Sequence, residues 1–572
     1  MLKKNKKHIL WFSQISNDDV PLVGGKNASL GEMYSKLTKK GVNIPNGFAI
    51  TAEAYKYFIA KNNLEDRIRQ NLKGITKKSS VAVLTKCAQV IRQLISSASM
   101  PKDLELKILN AYHKFGKSVD VAVRSSATAE DLPDASFAGQ QETYLNVVGP
   151  EELISSVKKC FASLFTARAI AYRQEKKFSH FNVYLSVTVQ KMVRADLASS
   201  GVMFSIDTES GFKDAVLINS IYGLGENIVQ GKVNPDEFYV FKPTLGKVKN
   251  PILSKTLGNK KVKMIYSGDD VKNVKVSQAD QFKFSLTDKE IIQLAKWAVV
   301  IEKHYDKPMD MEWAKDGKTG KLFIVQARPE TVQSQKNFNF LEEYTLLSKN
   351  REVLVSGKAV GSKIGQGKAK VIMDVKDINK FRPGEVLVTE MTDPDWVPVM
   401  KIAGAIVTNS GGRTCHAAIV SREMGVPCIV GTGNATQKIS SGENITVSCA
   451  EGEAGKVYKG LLSFKTRKIN LKKIKKPAVK IMLNVGEPER AFEFSFIPND
   501  GVGLAREEFI INNYIKIHPL ALLNFDKLKD KKAKKQIAEL TQEYKYKTDF
   551  YVSELAEGIA RIAAAFYPKD VI

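Results

Sequence analysis

The sequence predicts an α/β protein built from several domains. Its 572 residues leave room for three or four domains at roughly 150 residues each. The hydrophobic fraction of 43% is sufficient for buried cores and excludes wholesale disorder. Short apolar runs typical of strands alternate with amphipathic segments typical of helices, and this mixture favours the α/β class.

Residues 1–345 form the first predicted domain, in which helical and strand-like patterns alternate. The runs Val183–Val189 and Leu322–Val325 are short, apolar and flanked by polar turns, so they predict strands. The polar stretch Ser334–Asn339 predicts the start of a linker. One amphipathic helix is predicted by apolar residues at helical spacing, namely Leu104, Ile108, Leu109 and Tyr112.

Residues 350–465 form the second predicted domain, a compact α/β module rich in glycine and valine. One helix is predicted over Thr414–Met424. The basic, proline-closed segment Lys465–Pro477 predicts a second linker. Five short apolar runs predict strands, namely Ala369–Met373, Val386–Thr389, Ala405–Val407, Cys428–Val430 and Ile445–Ser448.

Residues 478–572 form the third predicted domain. The apolar run Val479–Leu483 predicts its first strand, and Glu487–Phe494 predicts a helix. The glycine-rich run Gly501–Arg506 follows. A strand followed by a helix at the start of a domain indicates a parallel sheet or barrel.

The net charge of +26 has two interpretations. The more specific interpretation is that the protein binds a nucleic acid or an anionic membrane. However, the lysines are spread along the chain and no arginine-rich stripe is interleaved with aromatic residues. We therefore interpret the charge as a lysine-rich solvated surface and predict no nucleic-acid partner.

The five cysteines are odd in number and widely spaced, without a Cys-x-x-Cys pair, so they predict neither a disulfide framework nor a zinc site. The apolar patch His8–Phe12 is too short for the core of a signal peptide. No run of 18 apolar residues occurs. The expectation is a cytoplasmic protein without a membrane partner.

Two glycine motifs are incomplete versions of known phosphate-binding patterns. Gly24–Asn27 resembles the end of a phosphate loop but lacks the first glycine and the final Ser or Thr. Gly223–Ile228 lacks the third glycine of a dinucleotide fingerprint. Both segments can still bring backbone N–H groups close to phosphates, because glycine permits close approach.

The most informative segment is Asn409–Ile419, which joins a strand, a glycine turn and a helix start. Thr414 is predicted to cap this helix, and His416 then lies in the first turn, where free N–H groups favour an anion. Arg413 adds a charge suited to phosphoryl oxygens. A histidine in this position can act as a nucleophile and form a phosphohistidine. The plainer interpretation of His416 alone is a histidine that satisfies one hydrogen bond.

The segment Gly411–Ile419 resembles the phosphohistidine motif of the phosphoenolpyruvate-utilising enzymes, and the wider sequence is similar to the phosphoenolpyruvate synthase (pyruvate, water dikinase) branch of that family. The similarity extends along the chain in order. Its other motifs are Gly24–Gly31, Val123–Asp131, Phe137–Thr143, Ser200–Ser205, Asn234–Phe238, Pro308–Ala314, Ile324–Glu330, Met391–Trp396 and Gly501–Arg506.

The resemblance implies a three-part enzyme: an ATP-grasp-type nucleotide domain, a swivelling α/β phosphohistidine domain and a (β/α)8 barrel that binds pyruvate. It implies the reaction of ATP, pyruvate and water to AMP, phosphoenolpyruvate and phosphate, with Mg²⁺. The diphosphoryl unit of ATP is captured on the histidine, water removes the γ-phosphate, and pyruvate enolate receives the remaining phosphoryl group.

The resemblance also gives roles to individual residues. His416 is the implied catalytic residue, with Arg413 and Thr414 beside it as phosphoryl-stabilising residues. Arg506 is the implied substrate-binding arginine. The implied nucleotide-binding residues are Lys26, Arg124, Glu312, Gln326 and Arg328, of which Glu312 and Gln326 are also the implied metal ligands.

Plainer interpretations stay open for these residues. Lys26 is otherwise a solvated lysine, and Arg124 a structural ion pair with a nearby carboxylate. Glu312 and Gln326 are otherwise solvated residues of an edge strand. Arg506 otherwise pairs with one of the two glutamates that follow it. We expect the strands that carry Glu312 and Gln326 to be neighbours.

The third region departs from the family pattern. Residues 478–572 are far fewer than the roughly 250 of a (β/α)8 barrel, so the expectation is an incomplete barrel. The chain is therefore expected to be competent only for the ATP-to-histidine half-reaction. A homodimer, as in full-length relatives, and a separately encoded barrel portion are the macromolecular partners considered.

Other functions remain as alternatives. One is a partial or non-catalytic phosphohistidine carrier. Another is a related dikinase with a different acceptor, such as inorganic phosphate, a glucan or an antibiotic. A basic nucleic-acid-binding protein is the third, and it predicts steeply salt-dependent binding.

Overall fold

The structure is a computed structural model that describes residues 7–76, 79–128, 142–175, 179–268, 270–331, 340–348, 351–471, 475–542 and 544–572. The predicted linker Ser334–Asn339 and the motif residues 129–131 and 137–141 lie outside these ranges. The α/β multidomain class is confirmed: helices cover separate sheets and one closed barrel. None of the described helices is long and apolar enough to cross a membrane.

The first part of the chain contains a five-stranded antiparallel sheet in the order β1-β2-β5-β3-β4. Helices pack on it and bury a large aliphatic and aromatic core. Its strands are β1 Ile9–Trp11, β2 Gly47–Ile50, β3 Val121–Ala127, β4 Thr143–Val147 and β5 Leu185–Lys191. Its helices are α1 Val20–Leu37, α2 Ala52–Lys61, α3 Leu64–Leu72, α4 Val81–Ser97, α5 Lys102–His113, α6 Pro150–Ser163 and α7 Ala167–Glu175.

A six-stranded antiparallel sheet follows, in the order β13-β12-β6-β7-β8-β9. Its strands are β6 Ser199–Phe204, β7 Ala215–Tyr222, β8 Asp236–Phe241, β9 Ile252–Thr256, β12 Met309–Lys315 and β13 Leu322–Pro329. A hairpin of β10 Val262–Ser267 and β11 Asp270–Lys275 lies beside it, with helices α8 Glu226–Val229, α9 Gln278–Gln281 and α10 Asp288–Tyr305. We call residues 7–331 the first unit.

The next part of the chain is a closed seven-stranded barrel in the order β15-β19-β18-β17-β16-β20-β21, which we call the barrel unit. The strands β16, β17, β18 and β19 run parallel to one another, and the other pairings of the barrel are antiparallel. The strands are β15 Val353–Val360, β16 Ile364–Val371, β17 Val386–Thr389, β18 Ala405–Thr408, β19 Cys428–Val430, β20 Asn444–Ser448 and β21 Ala454–Lys459. The helices are α11 Val397–Met400, α12 His416–Met424 and α13 Ala435–Lys438.

The segment predicted as the second linker is partly a strand, so that prediction is wrong over its first residues. β22, Phe464–Asn470, pairs antiparallel with β14, Phe340–Leu346. Acidic residues of β14 lie opposite basic residues of β22, and Lys468 Nζ is 3.3 Å from Glu342 Oε1. Cross-strand pairs of opposite charge favour this ladder, and it ties the two ends of the barrel unit together.

Residues 475–572, the third unit, contain three parallel strands in the order β23-β24-β25. The strand predicted at Val479–Leu483 is misplaced, because β23 is Leu483–Val485, and Val479 is exposed. The remaining strands are β24 Gly501–Ala505 and β25 Asp570–Val571. The helices are α14 Ala491–Ser495, α15 Glu507–Phe509, α16 Pro519–Leu523, α17 Lys531–Leu540 and α18 Lys547–Phe566.

The third unit packs on one face of the six-stranded sheet. Phe492 of α14 stacks on Phe212 with ring centroids 4.4 Å apart, and it also contacts Tyr239 of β8. Residues of α18 complete the same buried cluster. Because side chains alternate along a strand, the sheet face that carries Tyr239 also carries Glu237. One face of this sheet therefore has an apolar part, covered by the third unit, and a polar part.

Candidate active site

A row of polar side chains crosses that same face. Gln326 lies opposite Glu312 in the ladder, so the expectation that their strands are neighbours is confirmed. The row continues through Val202 of β6 to Asn219 of β7 and Glu237 of β8. We call Gln326, Glu312, Asn219 and Glu237 the polar row.

Arg124 reaches this row from the five-stranded sheet. Its Nη2 donates to Gln326 Oε1 at 2.7 Å and to Glu312 Oε2 at 3.2 Å. The ion pair with Glu312 agrees with the plainer interpretation of Arg124. These contacts also place the guanidinium of Arg124 beside the two proposed metal ligands, Glu312 and Gln326. A guanidinium held in this way has a fixed orientation toward an anionic ligand.

The glycine segment before Lys26 packs against the strand of Arg124. Gly24 has φ of +74°, and a Cβ there would lie 2.3 Å from Ser126 Oγ, so only glycine permits this approach. Ser126 and Arg124 are two residues apart on β3 and share a face. The half-buried Lys26 therefore lies on the Arg124 side of the first unit.

Arg328 is held by a carboxylate of the neighbouring strand. Its Nε donates to Asp310 Oδ2 at 2.9 Å, and the two residues lie opposite each other in the β12–β13 ladder. Burial raises the pKa of Asp310, although Arg328 opposes that shift. Arg328 shares its sheet face with Gln326, as its position two residues later on the strand predicted.

The sequence analysis missed two residues with buried polar atoms, one in the polar row and one near it. Asn219 is fully buried and neither its Oδ1 nor its Nδ2 has a hydrogen-bond partner. Glu226 Oε2 is also buried without a partner, and burial raises the Glu226 pKa, with Glu312 adding to the shift. Glu226 follows Gly225 in the glycine motif Gly223–Ile228, and a carboxylate at that turn was the available signal.

The donor set fits a magnesium ion. Glu312 and Gln326 offer oxygen atoms, and Glu226 adds an unpaired carboxylate oxygen. Mg²⁺ prefers oxygen ligands and is held in nucleotide sites by one or two carboxylates together with phosphates. The described residues contain no group of three or more His, Cys, Asp or Glu side chains that could hold a metal ion.

His416 is the first residue of α12, in the turn where the sequence predicts it. Its Nδ1 is 3.0 Å from the hydroxyl of Thr392. Burial, together with the charge of Arg168, lowers the His416 pKa to about 4, although Asp393 opposes this. The imidazole is therefore neutral near pH 7. When Nδ1–H donates to Thr392, Nε2 carries the lone pair.

Thr414 does not cap the helix, so that part of the prediction is wrong. The N-cap position belongs to Cys415, which makes no side-chain capping bond. Thr414 lies one residue too early to reach the N–H groups of the first turn. Its Oγ1 is buried without a partner.

Arg413 is buried among carboxylates. Its Nη2 is 3.3 Å from Glu453 Oε2, and its Nη1 is 3.6 Å from Glu237 Oε1 in the polar row. These two charges raise its pKa although burial opposes them. Arg413 therefore joins the loop of His416 to the first unit.

The loop before α12, residues 409–415, which we call the histidine loop, lies against the first unit. Gly411 N donates to Asn234 Oδ1 at 3.1 Å. Arg422 of α12 forms an ion pair with Glu209 of the first unit, and Arg168 Nε is 2.9 Å from Asp395 Oδ1. The barrel unit is thus docked with its histidine loop on the unit that carries Arg124 and Glu312.

Arg506 lies apart from these residues, directly after β24. In this part of the described chain it forms no ion pair with Glu507 or Glu508, so the plainer interpretation is wrong. Its guanidinium lies 5.8 Å from the ring centroid of Phe509, and its Nε is buried without a partner.

Comparison with known proteins agrees with this arrangement. Residues 20–345 match the family described as pyruvate phosphate dikinase, AMP/ATP-binding domain. Residues 381–452 match the family described as PEP-utilising enzyme, mobile domain. Together with the loop of His416 docked on the unit that carries Arg124, these matches define the class: a dikinase that combines an AMP/ATP-binding domain with a domain of the PEP-utilising enzymes.

Individual relatives narrow this class. The chain is 56% identical to the phosphoenolpyruvate synthase of Synechocystis sp., over 99% of this chain and 71% of that protein. It is 52% identical to the phosphoenolpyruvate synthases of Aquifex aeolicus and Escherichia coli, of which it spans 74% and 72%. The chain belongs to the phosphoenolpyruvate synthase family.

Proposed function

We propose that the chain acts as a phosphoenolpyruvate synthase through a phosphohistidine on His416. The overall reaction converts ATP, pyruvate and water into AMP, phosphoenolpyruvate and phosphate. The observation that carries the proposal is geometric: Nδ1 of His416 lies against the hydroxyl of Thr392, and the loop before His416 is docked on the unit of Arg124 and Glu312.

In the first half-reaction, Nε2 of His416 attacks the β-phosphorus of ATP and AMP leaves. A neutral imidazole whose Nδ1–H donates to the Thr392 hydroxyl keeps the Nε2 lone pair available. Lys26, Arg124 and Arg328 bind the phosphate oxygens, because each brings a positive charge to the same side of the first unit. Water then removes the γ-phosphate and leaves one phosphoryl group on the histidine.

Mg²⁺ bound by Glu312 and Gln326 would neutralise phosphate charge there. Glu226 is the third oxygen donor that we assign to this magnesium site, because its Oε2 is buried and has no hydrogen-bond partner. Thr414, whose hydroxyl is also unpaired, and Arg413 are the residues that we propose to stabilise the phosphohistidine.

In the second half-reaction, pyruvate enolate takes the phosphoryl group from His416. We assign Arg506 to bind the carboxylate or the phosphate, because its guanidinium forms no ion pair in the described part of the chain.

The proposed domains are 1–345, 350–465 and 478–572. We further propose that the 572-residue polypeptide by itself completes only the ATP-to-histidine half-reaction. A homodimer, as in full-length relatives, and a separately encoded portion of the (β/α)8 barrel are the macromolecular partners that we propose.

Labelled ATP tests the first half of this proposal. With Mg²⁺ and ATP labelled at the β-phosphate, we expect the purified chain to acquire acid-labile label, and we expect no label with His416→Asn. His113→Asn, a histidine of α5, is the matched control and should label normally. Equal labelling of the His416→Asn chain would contradict the role of His416.

The addition of pyruvate tests whether the polypeptide stops after the ATP-to-histidine half-reaction. When pyruvate is added to the labelled 572-residue polypeptide, we expect the label to stay on His416. Formation of labelled phosphoenolpyruvate by the purified polypeptide would show that the half-reaction proposal is wrong and that the complete reaction occurs.

A further inference from the structure

A cluster of charges with two buried arginines lies where the three units meet. Glu453, in the loop before β21, contacts two arginines: Arg561 Nη2 donates to its Oε1 at 2.7 Å, and Arg413 Nη2 is 3.3 Å from its Oε2. Arg561 belongs to α18 of the third unit, whereas Arg413 belongs to the histidine loop. One carboxylate therefore connects the third unit to the loop that carries His416.

The first unit completes the cluster. Glu237 of the polar row contacts Arg413 at 3.6 Å and Lys358 of β15 at 3.6 Å. The guanidinium of Arg561 also lies over the ring of Tyr239, 4.8 Å from its centroid, and 5.1 Å from the centroid of Phe492. Arg561 thus contacts an aromatic ring of the first unit, one of its own unit and a carboxylate of the barrel unit.

The burial of this cluster makes its pairing important. Arg413 and Arg561 are 2% and 5% exposed. A buried charge is costly unless it is paired, so these arginines favour the arrangement in which Glu453 and Glu237 lie beside them. The two arginines lower the Glu453 pKa to about 2 although burial opposes this, so the carboxylate is charged at neutral pH.

We propose that Arg561 is a positioning residue for the phosphorylation of His416, because through Glu453 it holds Arg413 and the histidine loop against the nucleotide-binding unit. The proposal rests on the proposed function and deepens it: a residue of the third unit sets the geometry of the ATP half-reaction. Arg561 does not touch ATP in this proposal. Its contribution is the position of the nucleophile, to which reaction rates are sensitive.

The test compares Arg561→Met, Arg561→Lys and a matched control in the complete chain. Arg490→Met is the control, because Arg490 pairs with Glu487 and Glu493 inside the third unit alone. For Arg561→Met we expect the maximal rate of His416 phosphorylation to fall about tenfold or more, with ATP affinity within about twofold of the unchanged chain. Arg561→Lys keeps the charge and should recover part of the rate.

Hydrogen exchange gives a readout that does not depend on activity. The Gly411 amide is protected by its bond to Asn234, so peptides covering residues 409–419 should exchange faster in Arg561→Met and not in Arg490→Met. If Arg561→Met fails to fold, Glu453→Gln, which keeps the side-chain shape and removes the charge, replaces it in both measurements.

The possible results separate the two proposals. Unchanged rate and unchanged exchange in Arg561→Met would overturn the positioning role, as would an equal loss in Arg490→Met or a loss of ATP affinity that accounts for the whole effect. Absence of any label on the unchanged chain would overturn the proposed function instead. In that case the exchange of residues 409–419 alone decides whether Arg561 holds the loop.

Discussion

In the proposed mechanism, the surroundings of His416 keep its imidazole neutral and so prepare it for nucleophilic attack. Burial lowers its pKa to about 4, and Thr392 occupies Nδ1. Because protonation removes the lone pair, activity should be lost only as the pH falls toward 4, well below the ordinary histidine value near 6.5.

The pH profile of the half-reaction tests this. We expect the single-turnover rate of His416 phosphorylation, at saturating Mg²⁺ and ATP, to stay nearly flat from about pH 8 to about pH 5.5. A midpoint for loss of activity near pH 6.5 that persists at saturating ATP would contradict the lowered pKa.

In the proposed mechanism, the hydroxyl of Thr392 accepts a hydrogen bond from Nδ1–H of His416, which leaves Nε2 unprotonated. Thr392→Val removes the hydroxyl and keeps the shape, so Nδ1 loses its partner and the reactive tautomer is no longer favoured. We expect the phosphorylation rate to fall about tenfold or more. Thr436→Val, which removes a hydroxyl hydrogen-bonded to Asn409 in the same unit, should have a smaller effect, and equal effects would contradict the role of Thr392.

Glu312 is the residue through which magnesium dependence is best examined. Glu312→Gln removes the charge of a proposed ligand, so the Mg²⁺ concentration for half-maximal phosphorylation should rise about tenfold or more. Asp288→Asn removes an exposed carboxylate that pairs with Lys255 on the surface, and it should leave that concentration unchanged. An unshifted Mg²⁺ requirement in Glu312→Gln would remove Glu312 from the metal site.

The loop and helix of His416 were predictable in part. The glycine turn followed by an apolar helical pattern predicted α12, and His416 lies in its first turn as expected. Thr414 is one residue too early to cap that helix, because the loop before it continues through Cys415. Capping propensity alone does not fix a helix start when a loop is constrained by docking.

Gly231 shows how closely the loop docks. A Cβ at this position would lie 2.8 Å from Cys415 Cβ, and its φ is +73°. Gly231→Ala should therefore displace the histidine loop and slow phosphorylation about tenfold or more. Gly246 has φ of +82° and open space around it, so Gly246→Ala carries the same backbone strain of about 1 kcal/mol without the clash. Equal rates for the two variants would contradict the docking effect.

The strands of the active site were more predictable than their surroundings. The runs around Glu312 and Gln326 are strand-like in the sequence, and in the structure they pair with each other as β12 and β13, as expected. Asn219 and Glu226 were missed, because their significance depends on burial without a partner, which only the packed structure reveals. The linker predicted after the barrel unit became β22, because its charges complement a strand more than 100 residues earlier in the chain.

The order of the three units along the chain could be predicted from composition and motifs, but their packing could not. The contacts that join them, such as Phe492 on Phe212 and Arg561 with Glu453, link residues far apart in sequence. The net charge of +26 remains interpreted as a solvated surface. The packing makes the third unit part of the structure around the histidine loop, although its sequence resemblance concerns pyruvate.

The nucleotide product of a single turnover tests the central claim most directly. When the chain is mixed with Mg²⁺ and ATP without pyruvate, we expect one AMP for each phosphorylated His416, and none in the His416→Asn chain. A phosphohistidine formed from the β-phosphate requires AMP as the leaving group. Release of ADP instead, or AMP formation that persists in His416→Asn, would contradict a dikinase mechanism through His416.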